Sequence, residues 1–335
     1  MVSSRGLLGV EFADAALEAA VRAGLDRVEA LLRTTVDSHD ALVAQAARHL
    51  VQAGGKRFRP LLTLLAAQFG PEHADDQVVA AAVVVELTHL ATLYHDDVMD
   101  EATVRRGAQS ANLRWDNTIA ILTGDFLFAR ASGLVAGLGQ DAVRIQAETF
   151  ERLVTGQIRE TAGPAGWDTG PIQHYLSVLA DKTGSLIATA ARFGALFGAA
   201  DEAAVDSLRR YGELIGVAFQ LSDDLLDVAS TTVESGKTPG TDLREGVRTL
   251  PMLYALASDD PGGARLRELL ADSLTDDGRH AEALTLLRDS PAMARARHTL
   301  SDYADRARTE LVGLPDVAAR RALASLADFV VARTG

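Results

Sequence analysis

Apolar residues recur every three to four positions over 15–32, 41–52 and 61–69, with short polar or Gly- and Pro-containing stretches between them, which predicts a succession of amphipathic helices. The same period continues to the C-terminus, and strand-like alternation is scarce. The expected fold class is therefore all-α. Gly54 and Gly55 end one helical run with residues able to turn left-handed, and Pro60 suits the first turn of the next. The most apolar stretch, 78–94, contains Glu86 and His89 and runs into carboxylates. A central acidic residue in a membrane span costs roughly 2.5 to 3.5 kcal/mol, so this stretch reads as a buried helix with a polar end, and no membrane span is expected. Loops are expected over 163–171 and 235–246. Neither is a linker, because the apolar helices on both sides need one another's faces. One domain over 1–335 is the expectation, with an N-terminal helical segment over about 1–35 and more polar, peripheral helices over 258–335.

Composition narrows the function. The chain has 335 residues, and Ala, Leu, Arg, Asp and Glu dominate it, residues that lose little side-chain freedom in a helix or serve at its ends. A net charge of -13 argues against a nucleic-acid partner and means that any anionic ligand needs local cations or metal ions. With no cysteine, neither disulfides nor thiolate metal sites are available, which fits a reducing compartment. No basic segment followed by a long apolar core opens the chain, so no secretory signal is read and a cytoplasmic location is expected.

Two acidic clusters share one spacing, Asp96-Asp97-Val98-Met99-Asp100 and Asp223-Asp224-Leu225-Leu226-Asp227. At about 100° per residue, i and i+4 fall on one helical face with i+1 at its edge, so each cluster presents two or three carboxylates together. One such cluster is usually a solvated acidic face. Two, each closing an apolar run, point to carboxylates at the mouth of a cavity, where they need cations. Magnesium takes oxygen ligands and joins one or two carboxylates to substrate phosphates; nothing in the chain favours zinc. Gly54 to Pro60 adds a turn with three cations, Lys56, Arg57 and Arg59, before a helix, either a basic cap or a diphosphate site. Basic charge is otherwise written almost wholly as arginine. The only lysines are Lys56, Lys182 and Lys237, all in segments where anions are suspected, and a compact ammonium is not interchangeable with a guanidinium fork at a tight phosphate site. Arg105 and Arg106 follow the first cluster, His89 lies two helical turns before Asp96, and Gln220 stands three residues before Asp223. Taken singly, these four read more simply as surface arginines and core-packing residues than as a site.

Together these residues resemble the trans-isoprenyl diphosphate synthase (polyprenyl synthetase) family. In family order the chain carries Gly-Gly-Lys-x-x-Arg-Pro at 54–60, His89 before Asp-Asp-x-x-Asp, Arg105-Arg106-Gly107, Gly124-Asp125, Lys182-Thr183, Phe219-Gln220 before the second Asp-Asp-x-x-Asp, and Thr249-Leu250-Pro251. The resemblance implies a large helical bundle around a deep central cavity, the clusters facing each other across its mouth, and a homodimer. It implies about three magnesium ions, with Asp96, Asp100 and Asp223 as ligands and Asp97, Asp224 and Asp227 in support. Lys56, Arg59, His89 and Arg106 would hold isopentenyl diphosphate, and Arg105, Lys182 and Lys237 the allylic diphosphate. Thr183 and Gln220 would present oxygens to the developing allylic cation, and 236–240 would close as a lid. One departure stands out: Val247 occupies a position where the family often has lysine, with Arg248 as the possible substitute.

In this family, residues just before the first cluster line the tunnel for the growing chain. Ala91, Thr92 and Thr88 are small, so a product of about C30 to C50 is expected from the room they leave, with Phe150 or Phe126 as the floor and geranylgeranyl or farnesyl diphosphate as the shorter alternatives. A terpene cyclase would not need the basic loop or Arg106. A non-catalytic partner subunit would have lost a cluster or that loop, and a purely structural helical protein has no reason to confine lysine to these segments.

Overall fold

The computed structural model describes residues 10–164, 170–229, 239–272 and 274–334. Lys237 and residues 236 and 238 of the expected lid lie outside them, as do parts of both expected loops. In chain order the helices are α1 (Ala15–Thr35), α2 (Ala41–Gln52), α3 (Phe58–Ala67), α4 (Asp76–Met99), α5 (Ala111–Arg114), α6 (Asn117–Gly137), α7 (Gln140–Ala162), α8 (Pro171–Leu179), α9 (Ser185–Phe197) and α10 (Glu202–Ala229). Shorter and later ones are α11 (Thr241–Glu245), α12 (Leu250–Leu256), α13 (Ala264–Leu270), α14 (Asp277–Arg288), α15 (Pro291–Glu310) and α16 (Ala318–Ala332). A π-helical turn, Ala180–Gly184, joins α8 to α9. The all-α expectation is borne out. The exception among the described residues is a hairpin of β1 (Val104–Arg105) and β2 (Ala108–Gln109), paired antiparallel.

Aspartate starts many of these helices. The side chains of Asp14, Asp40, Asp75, Asp116 and Asp276 accept backbone N–H groups at the first turns of α1, α2, α4, α6 and α14, satisfying donors that the helix leaves open and meeting its positive end. Part of the chain's acidity is thus structural.

The described residues form two compact units, each assembled from separate stretches of chain. The first comprises 1–151, 186–212 and 313–323. Its centre is α4, apolar around its whole circumference and buried from Val78 to Tyr94 except at a few positions, as expected of a helix enclosed by others. It packs on α6, α3 and α1. The Tyr94 hydroxyl donates to Ala46 O and accepts the Leu50 N–H (3.2 Å), tying α4 to α2. By length and composition both α4 and α6 could cross a membrane, but α4 is core, and α6 combines a buried side with exposed Ile121 and Leu122. Helices α3 and α9 touch backbone to backbone: a Cβ at Gly194 would sit 2.1 Å from Thr63 O.

The second unit comprises 152–185, 213–312 and 324–335. Residues 258–335 contribute buried Leu266, Leu269, Leu287, Ala296, Leu300 and Ala304. Residues 241–245, expected as loop, form the short helix α11. The Asp227 carboxylate accepts the Thr241 and Asp242 N–H groups (3.1 Å each) and so holds this turn from a neighbouring helix, a partner far away in sequence. Gly194→Ala should destabilise the protein by about 3 kcal/mol, the upper end for an overpacked contact because backbone cannot swing aside; urea unfolding measures it.

Candidate functional site

In the first unit, three segments bring their charges to one place: the turn after α2, the polar end of α4, and the β1–β2 hairpin. Gly54 and Gly55 have φ of 81° and 154°, conformations that favour glycine. A Cβ at Gly55 would lie 2.8 Å from the Arg106 guanidinium, which packs against the turn and donates to Gly54 O and Leu50 O. Arg106 and Gly107 form the two-residue turn of the hairpin, with φ of 54° and 75°, the left-handed pair that matches strand twist. A non-glycine residue held there is strained, a condition found where function fixes the geometry.

Asp97 is wholly buried and accepts Arg105 Nε at 2.5 Å and the Ala111 N–H at 3.4 Å. It anchors the hairpin to the end of α4 rather than facing solvent. Asp100 is 62% exposed, with Arg105 Nη2 at 3.7 Å, and Asp96 is half-buried. Lys56 is exposed. Burial pushes the Arg59 guanidinium down to about 10, with Glu86 opposing, and its buried Nε has no hydrogen-bond partner. Burial, then Arg59, Arg106, Arg105 and Arg57, hold His89 well below the ordinary imidazole value, so it is neutral. Such an excess of positive charge, with an unspent donor within it, is suited to a polyvalent anion.

The residues expected to set product length also lie in this unit. Ala91 and Thr88 are fully buried, and Thr92 is half-buried with its hydroxyl donating to His89 O (2.8 Å). Thr88 donates to Val84 O (2.8 Å) and accepts Gln146 Nε2 (2.7 Å), while Gln146 Oε1 is buried without a partner. Phe150 packs against Phe128 with centroids 4.5 Å apart and the rings tilted by 58°, and Phe126 lies under the Arg130 guanidinium.

In the second unit, α10 carries the other cluster and treats its three carboxylates differently. Asp223, 42% exposed, accepts Arg333 Nη2 at 2.5 Å; that guanidinium lies over Phe219 (5.0 Å). Asp224 is buried, accepting Tyr175 Oη and Gln220 Nε2 (3.0 Å). Asp227 caps α11, and its backbone oxygen accepts the Gly240 N–H. Gln220 thus spends its amide N–H on Asp224. Lys182 and Thr183 sit in the π-helical turn, a distortion frequent at functional sites. Lys182 pairs with Glu160, and Asp181 is held by Arg152 (3.1 Å) and Arg159 (3.4 Å). A Cβ at Gly156 would meet Lys182 N at 2.6 Å, so α7 makes room for the turn. Val247 and Arg248 are both exposed.

Among the described residues, no three acidic or histidine side chains gather closely enough to hold an ion unaided. In the first unit half-buried Asp96 and exposed Asp100, and separately in the second unit partly exposed Asp223, are oxygen donors of the kind a hard cation takes one or two of, completing its shell with water and phosphate oxygens. Sequence reading gave no role to Glu86, Gln146, Tyr175 and Arg333, and it counted Arg57 among the cations of the basic loop, whereas its guanidinium is turned inward onto Glu29 and Glu86. Glu86 alone left a signal, as an acid inside an apolar run.

Burial, the largest cause, raises Asp224 from 3.8 to about 6; Tyr175 and Gln220 oppose this, and Asp223 and Asp227 add to it. The folded protein therefore binds the extra proton between those values, and stability falls as pH rises from about 4 to 6. The loss is on the order of 3 kcal/mol. Urea unfolding in chelator across that range should show the fall, and Asp224→Asn should remove most of it.

The polyprenyl synthetase family profile matches residues 40–287. The chain is 55% identical over 327 residues to nonaprenyl diphosphate synthase of Mycobacterium tuberculosis, covering 98% of this chain and 97% of that protein. Its fold superposes with a TM-score of 0.88 on geranylgeranyl pyrophosphate synthase from Corynebacterium glutamicum complexed with calcium and isoprenyl diphosphate, at 49% identity, covering 97% of this chain and 100% of that one. A decaprenyl diphosphate synthase from Rhodobacter capsulatus gives 0.86 at 36% identity, with 96% and 99% covered. With the family profile spanning most of the chain and these relatives matching it nearly end to end, the protein belongs to the polyprenyl synthetase family.

Proposed function

We propose that the protein is a magnesium-dependent trans-prenyltransferase that adds isopentenyl diphosphate head to tail to an allylic diphosphate and releases an all-trans polyprenyl diphosphate of about C30 to C50. The observation that carries this is the first unit's pairing of two anion-handling chemistries. Arg59 and Arg106 gather beside a neutral His89, with Arg59 Nε unspent and Lys56 exposed on the same basic loop, while Asp96 and Asp100 offer carboxylate oxygen at the end of the same helix as His89. One diphosphate is bound by fixed cations and the other through metal. A cyclase needs only the second.

In this reading Asp96, Asp100 and Asp223 are the metal ligands. Divalent metal supplies charge neutralisation for the departing diphosphate. Lys56, Arg59, His89 and Arg106 orient isopentenyl diphosphate so that its double bond meets the allylic carbon, and Arg105, Lys182 and Lys237 hold the allylic diphosphate oxygens. Asp97 fixes Arg105, Asp224 is held by Tyr175 and Gln220, and Asp227 fixes α11. Thr183 and Gln220 turn oxygen toward the developing positive charge. The departed diphosphate takes the proton, so no protein nucleophile is needed.

The long product is supported by the small, buried Ala91 and Thr88 and by the nonaprenyl and decaprenyl relatives. The geranylgeranyl synthase likeness makes a shorter chain the runner-up. One polyprenyl synthetase domain in the cytoplasm and a homodimer complete the proposal. The sequence stretches of the two units alternate along the chain, cysteine is absent, and α6 offers exposed Ile121 and Leu122 for pairing.

Purified protein should extend geranyl, farnesyl or geranylgeranyl diphosphate with labelled isopentenyl diphosphate and magnesium, giving products longer than geranylgeranyl on chromatography. Asp96→Asn or Asp223→Asn should lower kcat by roughly a thousandfold. A stop at geranylgeranyl would reject the long-chain reading but keep the enzyme. No extension from any starter would reject the self-sufficient synthase.

A further inference from the structure

Resting on this reading of the isopentenyl diphosphate site, we propose that Glu86 is its positioning residue, pinning the basic loop through Arg57 and the hairpin tip through Arg106.

Glu86 lies among apolar neighbours on α4 and is 2% exposed. A carboxylate in such a place persists only when paired and hydrogen-bonded. It accepts Arg57 Nη1 at 2.9 Å, and Arg106 Nη2 is 3.6 Å away. The two guanidiniums belong to different segments that each carry proposed ligand-binding groups. Arg57 is spent inward on every side: Nε donates to Glu29, Nη2 to Val51 O at 3.2 Å, and Nη1 to Glu86. Its backbone is left-handed, φ 49°, a strained conformation that these bonds hold. With Arg57 turned into the protein, Lys56 and Arg59 on either side of it remain for the ligand. Arg106 is shared between Glu86 and the carbonyls of Leu50 and Gly54, so the same carboxylate sets where the hairpin meets the loop. His89 follows Glu86 by one helical turn and shares its flank of α4.

The sign of the effect separates this role from a simple electrostatic one. Removing a negative charge from among guanidiniums makes the site more positive, which by itself tightens a diphosphate. Releasing two anchored segments loosens it, because geometry lost at a binding group costs affinity and rate even when the group itself is kept.

Glu86→Gln keeps the shape and an acceptor oxygen and removes the charge. The expected result is a KM for isopentenyl diphosphate raised about tenfold or more, with KM for the allylic diphosphate within twofold of wild type and an unchanged circular dichroism spectrum. Adding Arg57→Gln to Glu86→Gln should raise that KM by less than a further twofold, since both act through one pin. An isopentenyl diphosphate KM that stays the same or falls would overturn the proposal, and so would an equal rise for both substrates. If wild type makes no product, the proposed function fails, but the pin is still read by hydrogen exchange. Glu86→Gln should speed exchange over 53–59 and 104–109, and unchanged rates there would reject it.

Discussion

Gathering guanidinium groups within reach of one another costs energy that rises steeply as water is excluded, and the first unit is built around meeting that cost. Two of the arginines proposed to face substrate have a paired carboxylate behind them: Asp97 behind Arg105, and Glu86 behind Arg106. Both acids are buried in α4, most of whose buried positions are apolar. Neutralising the positive charge completely would leave nothing to attract a diphosphate. Leaving it unmet would drive the segments apart. The arrangement stops between these limits, with His89 neutral and Arg59 only partly compensated, and the remainder of the charge is available to a ligand.

That balance needs a rigid support, which is the role of α4. A helix buried on all sides cannot shift without disturbing α1, α3 and α6 together. Its acids and its small residues, Thr88 and Ala91, are therefore placed on one scaffold, charge at one end and room further in. The second unit uses hydrogen bonds to the same effect. On α10 one carboxylate is held by a tyrosine and a glutamine and another by backbone amides of α11, so three neighbouring aspartates are in three different environments.

The helices were legible because their signals are local: apolar residues at helical spacing, and the Gly-Gly and Pro punctuation around 54–60. The chemistry was legible because the two clusters and the basic loop are written contiguously. The hairpin was not, since four strand residues are too few to show alternation and only Arg106-Gly107 marks the turn. Helix α11 was missed because the group that caps it is fourteen residues earlier on another helix. Partners such as Glu86 for Arg57, Arg333 for Asp223 and Tyr175 for Asp224 are separated by 29, 110 and 49 positions. No short-range pattern encodes such pairs. Asp97, Asp224 and Asp227 share one motif with their neighbours, yet Asp97 and Asp224 are buried and all three accept hydrogen bonds from within the protein, a distinction visible only once their surroundings are known.

The contact between Gly55 and the Arg106 guanidinium ties the histories of two positions that are far apart along the gene. Any side chain at 55 would meet the space Arg106 fills, and it would also have to adopt a φ of 154° that glycine alone takes readily. Glycine at 55 is therefore fixed twice, by its own backbone and by its neighbour, so a change at 106 alone would not free that position to vary.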